Sequence, residues 1–225
     1  MEKHHHGGGS RRKDFEVAVD IVTLRDLSEL LHSQSKKLYS ESCRQIQKIP
    51  PQIRRRNLRR GQQVYDPELV SIGPYHHGKP GLRHAEEFKP QCLDRCAGGD
   101  DKKAFFYFKI VEEAAAIRDS YAEAKIVEIY DDKSLALMML LDASIIIDFI
   151  HNYLGMQGNS FSDWQRCLGA GSGPLRDIML MENQIPFQVL QLLITMQYEK
   201  GEAASFLPRF FSTFLSQEYR DPSRN

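Results

Sequence analysis

Residues 69 to 90 read LVSIGPYHHGKPGLRHAEEFKP. From here to residue 96 the chain carries His76, His77, His84, Cys92 and Cys96, together with Glu86. Imidazoles and thiols bind zinc, and imidazoles and carboxyls move protons, so the cluster invites a metal-dependent or hydrolytic reading. Two details argue against it. Adjacent histidines on extended backbone point to opposite sides, so one ion does not take both. Their spacing with the cysteines also matches no zinc pattern. The reading preferred here is a rigid turn. Gly73 and Gly78 open backbone angles closed to other residues, Pro74 and Pro80 fix theirs, and Tyr75 packs. No metal ligand is assigned, and the two histidines, His84 and the two cysteines stay as secondary candidates.

RRRNLRRG, residues 54 to 61, holds five arginines in seven positions. Such a run suits phosphate or anionic lipid headgroups, or carboxylates of the same fold. No aromatic residue interleaves to stack a base, so nucleic acid is not expected. Asp177, Glu182, Asn183 and Gln184 lie in an otherwise apolar stretch. Positions 177 and 182 sit roughly 140° apart around a helix, so local geometry does not converge them as an acid–base pair. The expectation is a structural polar network that satisfies backbone groups freed at Pro186. Asp142 and Asp148 should join it with arginine partners, Arg118 or Arg176. Cys43 precedes Arg44, which would favour a thiolate, but no histidine bears a fixed relation to it. There is no GxSxG, Walker A, GxGxxG or HExxH, and no cofactor is expected.

The elements that position these groups are helical by pattern. Val17, Ile21, Leu24, Leu27, Leu30, Leu31 and Leu38 recur in steps of three and four over 14–39. Pro50 and Pro51 then exclude a continuous helix. Asp-Pro, Gly-Pro and Lys-Pro-Gly mark turns around a short extended piece, 69–72. The pattern predicts a helix over 82–96, kinked or interrupted at Pro90, with Leu82, Ala85, Leu93 and Cys96 inward. It predicts a loop at AGGDDKK and a long helical stretch over 104–130, with Phe105 and Phe108 on its apolar side. Residues 134–153 are apolar nearly all round, the mark of the most buried helix. Further helices run from Pro174 through Gln184, from Pro186, and over 203–217. The fold class is mainly α, an irregular multi-helix bundle with a Pro/Gly-rich extended turn segment around residues 61–81. Residues 1–13 read as a disordered leader or tag-like segment, 14–219 as one helical domain and 220–225 as a tail.

Bulk composition restricts the function classes. Of 225 residues, 41% are hydrophobic and 27% charged, ordinary for a globular chain. Thirty basic residues balance thirty acidic ones, so overall charge directs the chain to neither nucleic acid nor an anionic membrane. Four cysteines without a CxxC pair fit a reducing compartment. SLALMMLLDASIIIDFI, residues 134–150, is long enough to suggest a span but carries Asp142 and Asp148. A mid-bilayer aspartate costs roughly 2.5–3.5 kcal/mol, so a buried core helix is preferred and no span is predicted.

Three blocks in order, VSIGPYHHGKPGL (70–82), MMLLDASIIIDFI (138–150) and DIMLMENQIPFQVLQLL (177–193), resemble the plant family catalogued as domain of unknown function two-four-seven. The lead-in IQKIPPQIRRRN is similar too. Ala85 and Phe88 stand where that family's pattern has a Met and a polar or His residue. The resemblance implies a mostly helical plant protein with no established catalysis. Members usually continue to a C-terminal transmembrane helix, so this chain would be the N-terminal portion. It would be cytoplasmic or membrane-peripheral alone, and anchored if that C-terminus is present. Some grass members are proposed determinants of self-incompatibility, which implies recognition or signalling.

The resulting expectation is a non-catalytic recognition or signalling module with a protein partner. Tyr75, His76, His77, Arg54, Arg55 and Arg56 are its candidate contact residues. Phe206, Phe210, Phe211 and Phe214 form a stripe suited to self-association. The alternatives are an enzyme at the histidine pair and anionic lipid or phosphate binding through 54–60.

Overall fold

The computed structural model describes residues 45–58, 64–156, 160–169 and 173–218. The expected leader, the helix over 14–39, Cys43 and the tail lie outside the described residues. Ten α-helices occur among those described: α1 (Pro51–Leu58), α2 (Arg83–Ala97), α3 (Asp100–Glu112), α4 (Ala114–Asp119), α5 (Ala124–Glu128), α6 (Asp132–Tyr153), α7 (Ser160–Leu168), α8 (Gly173–Ile178), α9 (Phe187–Gln197) and α10 (Lys200–Glu218). A short 3-10 turn, Pro80–Leu82, leads into α2. No strand is present among these residues, and the fold is mainly helical, in keeping with the periodicity.

Helix α6 is the centre. Asp131 caps it, accepting a hydrogen bond from the Ser134 N–H at 2.6 Å. Its leucines, methionines and isoleucines are buried on nearly every side, and α2, α3 and α9 pack against it. By length and composition it is the one described helix able to cross a membrane, yet 78% of its apolar window is covered by the rest of the fold. It thus serves as a core helix here. Phe88 of α2 meets Trp164 of α7 edge-to-face at 5.4 Å, and Phe149 of α6 packs on both Trp164 and Phe210 of α10. Such pairs add directional preference to simple burial.

Several expectations are corrected. The helix after Gly99 starts at Asp100, inside the stretch read as a loop, with Asp100 and Asp101 favourably placed at its N-terminal dipole. Gly98, at φ +69°, closes α2 by the left-handed turn that glycine permits. The inward face of α3 is Phe106 and Ile110, and Phe105 and Phe108 are more than half exposed. The stretch over 104–130 is three helices. Its second break has a visible cause. Ile46 pairs with the chain there, donating to the Ser120 carbonyl and accepting from the Ala122 N–H. Those contacts take the backbone off the helical ladder. Helix α2 runs through Pro90 without interruption. Helix α8 ends at Ile178, well before Pro186, because side chains take its last carbonyls: Asn183 donates to Asp177 and Gln184 donates to Ile178.

Candidate functional site

The chain from Glu68 to Gly73 is neither helix nor strand, it is buried from Val70 onward, and it has no neighbouring strand among the described residues. Buried backbone donors must find partners, and here side chains supply them. Asp177 Oδ2 accepts from three successive N–H groups, those of Glu68, Leu69 and Val70, at 3.0, 2.6 and 3.0 Å. Asn183 brackets the next step: Oδ1 accepts from the Ile72 N–H at 2.7 Å and Nδ2 donates to the Val70 carbonyl at 2.9 Å. Asp142 Oδ2 accepts from the Gly73 N–H at 2.7 Å. Gly73 has φ +72°, and a Cβ there would stand 2.2 Å from the Gln184 carbonyl oxygen, so only glycine fits. The three blocks singled out in the sequence thus meet in one place. The third and second blocks hold the backbone of the first.

The buried carboxylates have partners that the sequence did not reveal. Asp142 pairs with Lys89, whose side chain is fully buried and whose Nζ also lies 2.6 Å from Glu86. Burial raises the Asp142 carboxyl, with the Lys89 ammonium opposing it. Asp148 pairs with Arg95 at 2.7 Å and accepts from Trp164 Nε1 at 2.6 Å. Neither expected arginine serves. Arg118 bonds to the Val127 and Tyr130 carbonyls and to Asp132, while Arg176 faces Glu68 and Asp177. One substitute is visible as a pattern: Lys89 lies three residues after Glu86 on one helix face.

The two histidines part company. His77 is partly exposed, with Nδ1 3.7 Å from Glu86 Oε2 and its ring edge-on to Tyr130. His76 is buried. Its Nε2 lies 3.3 Å from Glu182 Oε1 and its Nδ1 3.9 Å from Asp66 Oδ1, without hydrogen-bond alignment at either nitrogen. Arg54 Nη1 is 2.6 Å from Asp66, Arg54 Nη2 bonds to Glu182, and the Ile49 N–H donates to Glu182 Oε2 at 2.6 Å. Burial pushes the Glu182 carboxyl up, but His76, the Ile49 amide and Arg54 together hold it below its usual value. Burial is likewise outweighed at Asp66, where Lys79 and Arg54 hold the carboxyl low. Tyr75 donates to the Ile46 carbonyl at 2.9 Å and packs edge-on to Tyr121.

The histidine and cysteine set read from sequence does not come together. Cys92 and Cys96 are buried beside Asp148 and Ser144, and burial pushes the Cys96 thiol up to about 12 and the Cys92 thiol higher still. His84 is on the exposed face of α2. The groups that do converge on His76 are Asp66, Glu182 and Arg54, which chain separation hid. Of the arginine run, Arg54 turns inward while Arg55 and Arg56 are exposed; Arg59 and Arg60 lie outside the described residues. In α10, Phe206 and Phe210 are buried, Phe214 is partly covered and Phe211 faces out.

A family sequence profile matches residues 46–225, a range that contains every group of this cradle. The chain belongs to the plant protein family of unknown function DUF247. It is 33% identical over 137 residues to the UPF0481 protein At3g47200 of Arabidopsis thaliana, an alignment covering 58% of this chain and 27% of that protein. It is 31% identical over 151 residues to the putative UPF0481 protein At3g02645 of the same plant, covering 64% and 26%. The matched part is about a quarter of each curated relative's length. No solved structure matches the chain. In this DUF247 chain Asp177, Asn183 and Asp142 all hold backbone.

Proposed function

We propose that this chain is a non-catalytic recognition module that acts by binding another protein, with signalling as its wider role. One observation carries the reading. The buried carboxylates Asp142, Asp148, Asp177 and Glu182 are all engaged by cations or amides of the chain itself. A general acid or base needs a group that can reach a substrate proton, and these are committed to holding the fold. The outside carries large apolar side chains instead, with Phe105 and Phe108 on α3, Phe187 on α9, and Phe211 and Leu215 on α10 about half exposed or more. His77, Arg55 and Arg56 are the surface members of the histidine turn and arginine run. Aromatic and arginine side chains are the residues that most often anchor protein interfaces.

The experiment is cross-linking capture from plant extract with the wild-type chain and three paired variants: F105S/F108S, R55E/R56E and F211S/L215S. Each variant is melted alongside. The expected result is a captured protein that one pair abolishes while its melting temperature stays within a few degrees of wild type. The same capture by all four chains, or loss only in variants that melt early, would defeat the reading. Light scattering on the same samples separates a second copy of the chain from a different partner.

A further inference from the structure

Asp66, His76 and Glu182 each present one ligating atom, and these atoms lie within 4.8 Å of one another. They come from three places in the chain: the turn before the extended segment, the histidine turn, and the turn after α8. The His76 side chain is 3% exposed and so is that of Glu182. His76 is the unexplained member. Arg54 and Lys79 already supply two cations for the two carboxylates, and this ring is buried beside them, 3.3 Å from Glu182 Oε1, with neither nitrogen making an aligned hydrogen bond. Leaving a buried polar group so placed costs free energy unless another atom meets it. The His76 Nε2 to Glu182 Oε1 separation of 3.3 Å is also a ligand-to-ligand distance. Bonds of about 2.0–2.1 Å in tetrahedral array place neighbouring ligands about 3.3–3.4 Å apart.

We propose that Asp66, His76 and Glu182 form a site for one divalent transition metal of the zinc class, with the Arg54 guanidinium as its built-in competitor. One imidazole and two carboxylates suit a borderline cation and match its charge. Arg54 bonds to the same Glu182 oxygen that faces His76, so guanidinium and metal exclude each other there. Arg54 is placed to yield. Its side chain is a quarter exposed, and its helix neighbours Arg55 and Arg56 already reach solvent. Lys79, 3.1 Å from Asp66, is nearly half exposed and also free to turn outward. The Ile49 N–H holds the other Glu182 oxygen, orienting the carboxylate with or without Arg54, as outer-shell partners of metal ligands do. The metal would pin the histidine turn to the turn after α8 and release α1 from Glu182. This is independent of the recognition reading, since a structural ion requires no reaction.

The test uses the full chain with His4→Ala, His5→Ala and His6→Ala, which removes the leader imidazoles. After chelator dialysis it is titrated with Zn²⁺ by calorimetry and with Co²⁺ by visible absorption. The expected result is one ion per chain, bound about tenfold or more tighter by R54A and about tenfold or more weaker by H76Q. The cobalt spectrum should show imidazole and carboxylate ligation without thiolate charge-transfer bands. Should H76Q not fold, the shift of the His76 ring resonances in the folded parent on Zn²⁺ addition reads the same ligand. Absent binding in folded R54A, affinity no higher in R54A than in the parent, a thiolate band, or unmoved His76 resonances would each overturn the proposal.

Discussion

Lys89 Nζ lies 2.6 Å from Asp142 Oδ1, with side-chain exposures of 0% and 1%. One ion pair therefore crosses the packing of α2 on α6 without reaching water. The other Asp142 oxygen holds the Gly73 N–H, so the pair also anchors the extended segment. Removing one partner of a buried pair typically loses about 3–5 kcal/mol, because a desolvated charge is stranded. Lys89→Met is expected to lose that much in urea denaturation at neutral pH. Adding Asp142→Leu should recover part of it, with the Gly73 amide still orphaned. A loss below about 1 kcal/mol would place the pair with solvent-screened bridges.

Asp177→Ala removes the common acceptor of three amides. Each buried donor left without a partner costs about 1–3 kcal/mol. The Glu68 side is near solvent, so the Leu69 and Val70 amides should carry most of the loss. Hydrogen exchange is the direct measurement. Protection at Leu69 and Val70 should fall before protection in α6 does. Equal protection in variant and wild type would mean that the Asp177 carboxylate is not what shields these amides.

Glu182 and Asp66 govern the acid limb. Both carboxyls sit lower in the folded chain than their ordinary values. The unfolded chain therefore takes up protons first as pH falls, and folding weakens. Their stabilising effect is complete only above the ordinary carboxyl values, from about pH 5 upward, and disappears as pH falls through the lower folded values. Glu182→Gln should melt earlier than wild type at pH 7. The gap between the two melting curves should close on acidification below about pH 4. A gap independent of pH would assign the loss to packing.

Cys92 and Cys96 should resist alkylation. A thiol raised to about 12, like that of Cys96, carries almost no thiolate at pH 8, and both groups are buried. Peptide mass mapping after iodoacetamide should find both unmodified in the native chain and both labelled in denaturant, with the partly exposed Cys167 modified earlier. Native labelling of Cys92 would show that α2 opens from α6 more readily than its packing suggests.

Gly73→Ala tests the close approach at Gln184. The left-handed backbone alone costs about 1–2 kcal/mol for a non-glycine residue, and the 2.2 Å contact with the Gln184 carbonyl adds to it. Gly78→Ala, also at positive φ but in open space, carries only the first cost. The first variant should melt clearly below the second, and equal melting would mean that the turn after α8 can shift away.

Two departures from the local pattern share a cause. The 104–130 stretch has helical residues throughout, but the Ile46 pairing at Tyr121 comes from a segment 75 positions away and no local pattern announces it. Phe105 and Phe108 belong to an apolar stripe that is legible as a stripe. Which edge of it is buried depends on how α3 lies against α6, and Phe106 and Ile110 take that place. The histidine neighbourhood differs for another reason. Proximity along the chain suggests Cys92 and Cys96, whereas His76 meets Asp66 and Glu182, ten and 106 positions away.

The helical class, the central buried helix and the family are legible along the chain, because periodicity, turn residues and ordered blocks are local properties. Which charge answers which follows from the packing of distant elements. Asp142 took Lys89, Asp148 took Arg95, and Asp177 took three backbone amides. The reason is physical. A buried charge is tolerated only where a complementary group meets it, and that partner is set by the crossing of elements distant in the chain.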